Sequence, residues 1–95
     1  MSETRIVFSL HAVERMIERD ILEAEVRTTL ASGETIEVYP DDVPYPCRLV
    51  LGWSGSRPVH VVVADNVEMN EVVVVTVYEP DTDVWEQGFR RRRAL

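Results

Sequence analysis

Lysine is absent from this sequence of 95 residues, and cysteine occurs once. The lone Cys47 excludes an intrachain disulfide and points to a reducing compartment. With no lysine, any phosphate clamp has to be built from arginine, whose planar fork suits phosphate. No apolar run approaches the roughly 18–20 residues that a spanning helix needs. The opening Met1 to Arg5 lacks the basic-then-apolar shape of a signal peptide, so a cytoplasmic protein without a membrane anchor is expected. Two histidines and one cysteine, at separations of 49, 36 and 13, match no zinc spacing, and neither a metal nor a cofactor is expected. A glycine-rich phosphate loop, a nucleophile elbow and a Cys-x-x-Cys pair are all missing.

What is present is an ordinary globular composition, 45% apolar and 28% charged. The length predicts one domain over 1–95, burying roughly 60–65% of the surface of its unfolded chain. Seventeen acids face ten arginines, a net of −7. Four of those arginines are consecutive, Arg90 to Arg93, so the first 89 residues hold six against seventeen acids, a net of −11. Such acidity argues against a broad nucleic-acid face. The arginine run reads as a solvated end or a local basic arm.

Ser9 is a plausible N-cap for a first helix whose apolar positions Leu10, Val13, Met16 and Ile17 recur at helical spacing and predict a buried face. His11, Arg15 and Arg19 share another face of it. Asp20 is the predicted break. A second helix is predicted from about Leu22 to Ser32, with Ile21, Leu22, Val26 and Leu30 inward and Gly33 as C-cap. Strands are predicted at Glu34 to Tyr39, Arg48 to Trp53, Val59 to Ala64 and Val72 to Tyr78. Pro40 to Pro46 reads as a loop. Val84 to Arg92 allows a short C-terminal helix capped by Asp83. The expected fold is therefore α+β: two N-terminal helices packed on one face of a curled, mostly antiparallel four-stranded sheet. Two near-continuous valine strands raise an edge-pairing problem that a homodimer or a hetero-complex would solve.

His11 and Arg15 lie one helical turn apart, a pair suited to holding a phosphate and moving a proton, although Glu14 and Glu18 beside them also fit an ion-paired exposed face. His60 sits inside an apolar strand, opposite in facing to Val59, Val61 and Val63. It reads either as a satisfied core residue or, if its face meets the first helix, as a partner of His11. Arg48, Arg57 and Tyr78 occupy strand positions that would rim a cleft. Trp53 and Trp85 read as core or interface anchors. Cys47 has no local histidine and is a poor nucleophile.

Several stretches together carry a resemblance. They are Ser9-Leu-His11-Ala-Val-Glu-Arg15-Met-Ile-Glu-Arg19, Gly33-Glu34, Val38-Tyr39-Pro40-Asp41-Asp42, Leu49-Val-Leu-Gly52, Arg57-Pro-Val-His60-Val-Val and Thr76-Val-Tyr78-Glu-Pro80, with Trp85 after it. Over residues 8–92 this pattern resembles the bacterial and archaeal family catalogued as domain of unknown function 4258. The resemblance implies a RelE-like fold and the toxin half of a type II toxin–antitoxin pair. It also implies a metal-independent mRNA endoribonuclease of the RelE/MqsR type, acting on RNA or at the ribosome and held by a small zinc-finger antitoxin. The alternative is a non-catalytic module of the same fold, acting through self- or partner-association at its valine-rich edge or Trp85. By motif position, His11, His60 and Tyr78 are the implied catalytic candidates. Arg15 and Arg19, together with Arg48, are the candidates for binding substrate. The chain departs from the family pattern in placing Asp20 where many members have Gly, Leu22 where they have a small capping residue, and in its acidity.

Overall fold

A computed structural model describes residues 4–94. The elements run β1 (Arg5–Phe8), α1 (Leu10–Arg19), α2 (Glu23–Ser32), β2 (Glu34–Tyr39), β3 (Cys47–Ser54), β4 (Arg57–Asn66) and β5 (Glu71–Tyr78). They form one sheet in the order β1-β5-β4-β3-β2. The α+β class stands, but the four-stranded sheet does not. A fifth strand, Arg5–Phe8, precedes the helices and pairs parallel to β5, from Arg5 opposite Glu71 to Phe8 opposite Val74. The other neighbours are antiparallel, so the sheet is mixed.

Both helices cover one face. Ala12, Ile21 and Val26 meet Val50, Val59, Val61, Val63, Val74 and Val77, all of them buried. Each valine so buried contributes about 1.5–3 kcal/mol by leaving water. The valine runs are central strands, walled in by neighbours on both sides, and the sheet edges are β1 and the acidic β2.

Local chemistry fixes each helix on this sheet. Ser9 caps α1 by accepting the Ala12 amide at 3.0 Å, while its hydroxyl donates to the Val75 carbonyl at 3.0 Å. Val75 is available because the β4–β5 register slips between Val62 and Val63. Asp20 ends α1 in the left-handed region, φ 55°, with Ile21 N–H returning to Met16 at 2.9 Å. Leu22 offers no side-chain oxygen to α2; instead the Glu25 carboxylate accepts the Leu22 amide at 2.7 Å. Gly33 closes α2 with an extended backbone, φ −79°, so no left-handed turn requires it. Space does, since a Cβ there would lie 2.3 Å from the Thr29 carbonyl oxygen. Gly52 is as tight, with Thr29 Oγ1 2.4 Å from where its Cβ would be.

Three further expectations are corrected. In α1 the sheet takes Ala12 and part of Met16, whereas Leu10 and Ile17 are exposed at 75% and 76%. Leu22 is also exposed. No C-terminal helix forms: residues 81–93 make an irregular strap across the sheet face opposite the helices. Its Glu86 amide donates to the Arg91 carbonyl and its Arg93 amide to the Val84 carbonyl, each at 2.8 Å, around a turn with Gly88 and Phe89 at positive φ.

Candidate functional site

The strap creates the most chemically dense part of the molecule. Leu51, His60 and Tyr78 lie side by side across β3, β4 and β5, on the face turned away from the helices. Trp85 of the strap, itself 2% exposed, stands edge-on to His60 with ring centres 4.5 Å apart. Trp53 and Phe89 make a similar edge contact at 6.0 Å. His60 is wholly buried.

Its tautomer follows from its partners. Nε2 lies 2.9 Å from the Phe89 carbonyl oxygen, which only accepts, so Nε2 carries the proton. Nδ1, 3.2 Å from the Tyr78 hydroxyl, then accepts from it. Burial pushes the His60 pKa below the ordinary histidine value, against the opposing pull of the Phe89 carbonyl and of Glu37. The ring is therefore neutral near pH 7. Burial likewise raises the Tyr78 phenol, which stays protonated.

Beside this pair lies a charged one. The register slip between Thr35 and Glu37 sets Glu37 opposite Leu49. Its carboxylate receives the Tyr39 hydroxyl and pairs with Arg92 at 3.2 Å. Burial alone would raise Glu37, but the hydrogen bonds from Tyr39 and Arg92 and the Arg92 charge outweigh it and hold the carboxyl low. Tyr39 is raised, by burial first and by Glu37 second. The Arg92 guanidinium also lies 4.7 Å from the Trp85 ring centre. One cluster thus joins a neutral imidazole, wholly buried beneath the strap, with two protonated phenols, a carboxylate and a guanidinium.

The residues singled out from the sequence fall in three places. His60 and Tyr78 come together. His11, Arg15 and Arg19 lie on α1, on the other side of the sheet, so His11 and His60 do not converge. Arg15 pairs with Glu18 at 3.1 Å. Arg48 also faces the helix side, where it forks onto Asp65 at 2.9 and 3.3 Å and reaches Thr35 at 3.3 Å. Arg57 closes the end of α1, donating to the carbonyls of Arg19 and Asp20 at 2.6 and 2.9 Å. Burial and Asp42 raise the Cys47 thiol, so it stays protonated. Trp85 is a core anchor and offers no exposed surface. Glu37, Tyr39 and Arg92 were not singled out. An acid at the second of three positions in Ile36-Glu37-Val38 is a weak signal, and nothing in the arginine run marks Arg92 apart from Arg91.

Comparison with known families gives one result. The family described as Domain of unknown function (DUF4258) matches residues 8–79. The chain belongs to that family. The DUF4258 match spans β1's last residue to the residue after β5 and includes Glu37, Tyr39, His60 and Tyr78, while the strap with Trp85 and Arg92 lies beyond it. No curated protein and no solved structure matches the chain. Among the described residues, no helix is long and apolar enough to cross a membrane, and no group of three or more His, Cys, Asp or Glu is placed to hold a metal ion.

Proposed function

We propose that this DUF4258 chain is a metal-independent endoribonuclease of the RelE/MqsR type, the toxin of a toxin–antitoxin pair, with its reacting centre on the outer sheet face. The observation that carries the reading is the Tyr78 hydroxyl donating to the neutral His60 Nδ1 beside the Glu37–Arg92 pair. Cleavage needs a base for the ribose 2′-hydroxyl, an acid for the leaving 5′-oxygen and a cation on the phosphate. Tyr78 takes the 2′-hydroxyl proton as it passes its own to His60. The 2′-oxygen attacks phosphorus and the bond to the 5′-oxygen breaks. The Tyr39 phenol protonates that oxygen, and Arg92 turns from Glu37 to the phosphate. The products are a 2′,3′-cyclic phosphate and a 5′-hydroxyl end. Glu37 steadies the imidazolium formed in between. A small zinc-finger antitoxin is the partner this reading implies in the cell.

The second reading, a non-catalytic association module, is favoured by one fact: His60 is wholly buried with both ring nitrogens already bonded. Expression of the chain alone, followed by cleavage assays on RNA with and without ribosomes, separates the two. The ribonuclease predicts growth arrest and cyclic-phosphate ends. It also predicts a loss of roughly 10²–10⁴ in rate for Tyr78→Phe, the scale of one proton-transfer contribution. Arg92→Lys, which keeps charge but not the fork, should be impaired too. His11→Ala, on the other side of the sheet, should cleave normally. Harmless expression with intact RNA would replace this reading with the module.

A further inference from the structure

Leu10, Val13 and Ile17 stand at i, i+3 and i+7 on α1 and are 75%, 38% and 76% exposed. Leu22, just past the turn, is 62% exposed. Val13, Ile17 and Leu22 line a shallow hollow of about 360 Å³ together with Met16 and Ile21, and Leu10 continues the stripe beyond it. The core side of α1 is occupied by Ala12, so this stripe is a second apolar face that nothing among the described residues covers. Single exposed apolar residues are ordinary, but a contiguous helical stripe ending in a hollow marks an interaction surface.

Its border selects the occupant. Glu14 and Glu18 follow the stripe round the helix, and Asp20 and Glu23 line the mouth of the hollow. Glu18 and Glu23 have Arg15 and Arg27 as partners. Glu14 and Asp20 have no ion pair among the described residues. A second copy meeting this face symmetrically would set these acids against their own equivalents, which costs rather than contributes. A helix with apolar side chains on one face and arginine or lysine along its flanks satisfies both stripe and border.

We propose that the Leu10–Val13–Ile17–Leu22 face of α1 is a docking groove for a basic amphipathic helix of another protein. It lies on the side of the sheet away from the Tyr78–His60 centre, so it stands whether or not the chain cleaves RNA. The probe is a synthetic helical peptide of about sixteen residues, with leucines at i, i+3, i+7 and i+11 and lysines flanking them. Its control carries glutamates at the flanking positions. Titration of the full chain by fluorescence anisotropy should give saturable binding of the lysine peptide, at least tenfold tighter than the glutamate peptide and weakened by salt. Ile17→Asp, at an exposed position that leaves the fold intact by circular dichroism, should reduce binding tenfold or more. Glu14→Gln with Asp20→Asn should erase the preference for lysine while keeping the apolar contribution. Equal binding of the two peptides by the wild-type chain would overturn the charge argument. No binding of either, or binding unchanged by Ile17→Asp, would overturn the groove. A dimer in sedimentation that Ile17→Asp dissolves would assign the face to a second copy instead.

Discussion

The imidazole of His60 donates through Nε2 to the main-chain carbonyl of Phe89 at 2.9 Å, tying a central strand to a segment 29 residues further on. Phe89 adopts φ 59°, a left-handed conformation unusual for a bulky side chain. The strap is therefore held by a side chain that gives its proton to backbone, while the burial of that ring and the Nδ1 lone pair that accepts from Tyr78 require it to stay neutral.

That dependence has a sign. The folded pKa of His60 lies below the unfolded value of about 6.5. Between the two, the unfolded chain binds a proton that the folded chain refuses. The stability from neutral His60 is therefore complete above about pH 6.5 and is lost as pH falls through that window. Glu37, held low, adds a separate loss only below about pH 4.3. Thermal melts from pH 7.5 to 5.5 should show the midpoint falling. The slope should flatten in His60→Gln, whatever that variant's own midpoint; an unchanged slope would assign the fall elsewhere.

Trp85 should be the main anchor of the strap. It is 2% exposed and touches both His60 and Arg92. Trp85→Ala should cost roughly 3–5 kcal/mol in urea unfolding. Arg90→Ala, removing an exposed pair with Glu34, should cost no more than about 1 kcal/mol. Similar losses for both would mean that the strap is held by its charges.

Gly52 is where α2 rests on β3. A methyl there would meet Thr29 Oγ1 at 2.4 Å and Thr29 Cβ at 2.8 Å, the root of a side chain that cannot swing clear. Gly52→Ala should destabilise by about 1–3 kcal/mol, the usual cost of overpacking. Adding Thr29→Gly should show a favourable coupling in a double-mutant cycle; plain additivity would place the strain elsewhere.

Asp20 carries a left-handed conformation that glycine adopts without steric cost. Asp20→Gly should therefore be neutral or stabilising, by up to about 1 kcal/mol, since its carbonyl still accepts Arg57. Destabilisation beyond that would mean that the carboxylate does structural work at the turn.

The legible parts of the fold were those whose signal is local. Valine runs announced β4 and β5, and Ser9, Asp20 and Gly33 marked the helix ends, although Gly33 is needed for clearance rather than for its backbone angles. β1 was missed because four residues carry no period, and its partner lies 66 positions away, as Arg5 and Glu71 show. The buried side of α1 was misassigned because two apolar faces adjoin, and spacing alone does not tell which one meets the sheet. Ala12 took the core because a small residue lets the helix approach closely. The arginine run, legible as a solvated end or a local basic arm, is exposed throughout; what no local signal shows is that Arg90 and Arg92 pair with Glu34 and Glu37 across 56 and 55 positions. For the candidate centre, alternation placed His60 on the correct face, and only the tertiary fold could say that the helices lie on the other.

The parallel pairing of β1 with β5 bears on how the chain reaches its native state. Arg5–Phe8 is synthesised before both helices and three other strands, and the strand it pairs with only after them. Until then its apolar side chains have no bed and the inner edge of β4 is open. Contacts of such sequence separation slow folding, and a β4 edge not yet covered by β5 is one with which another chain can pair. Val74, which pairs with Phe8 of β1 and accepts the Ser9 amide at 3.1 Å, is thus where the first and fifth strands of the sheet and the start of α1 meet.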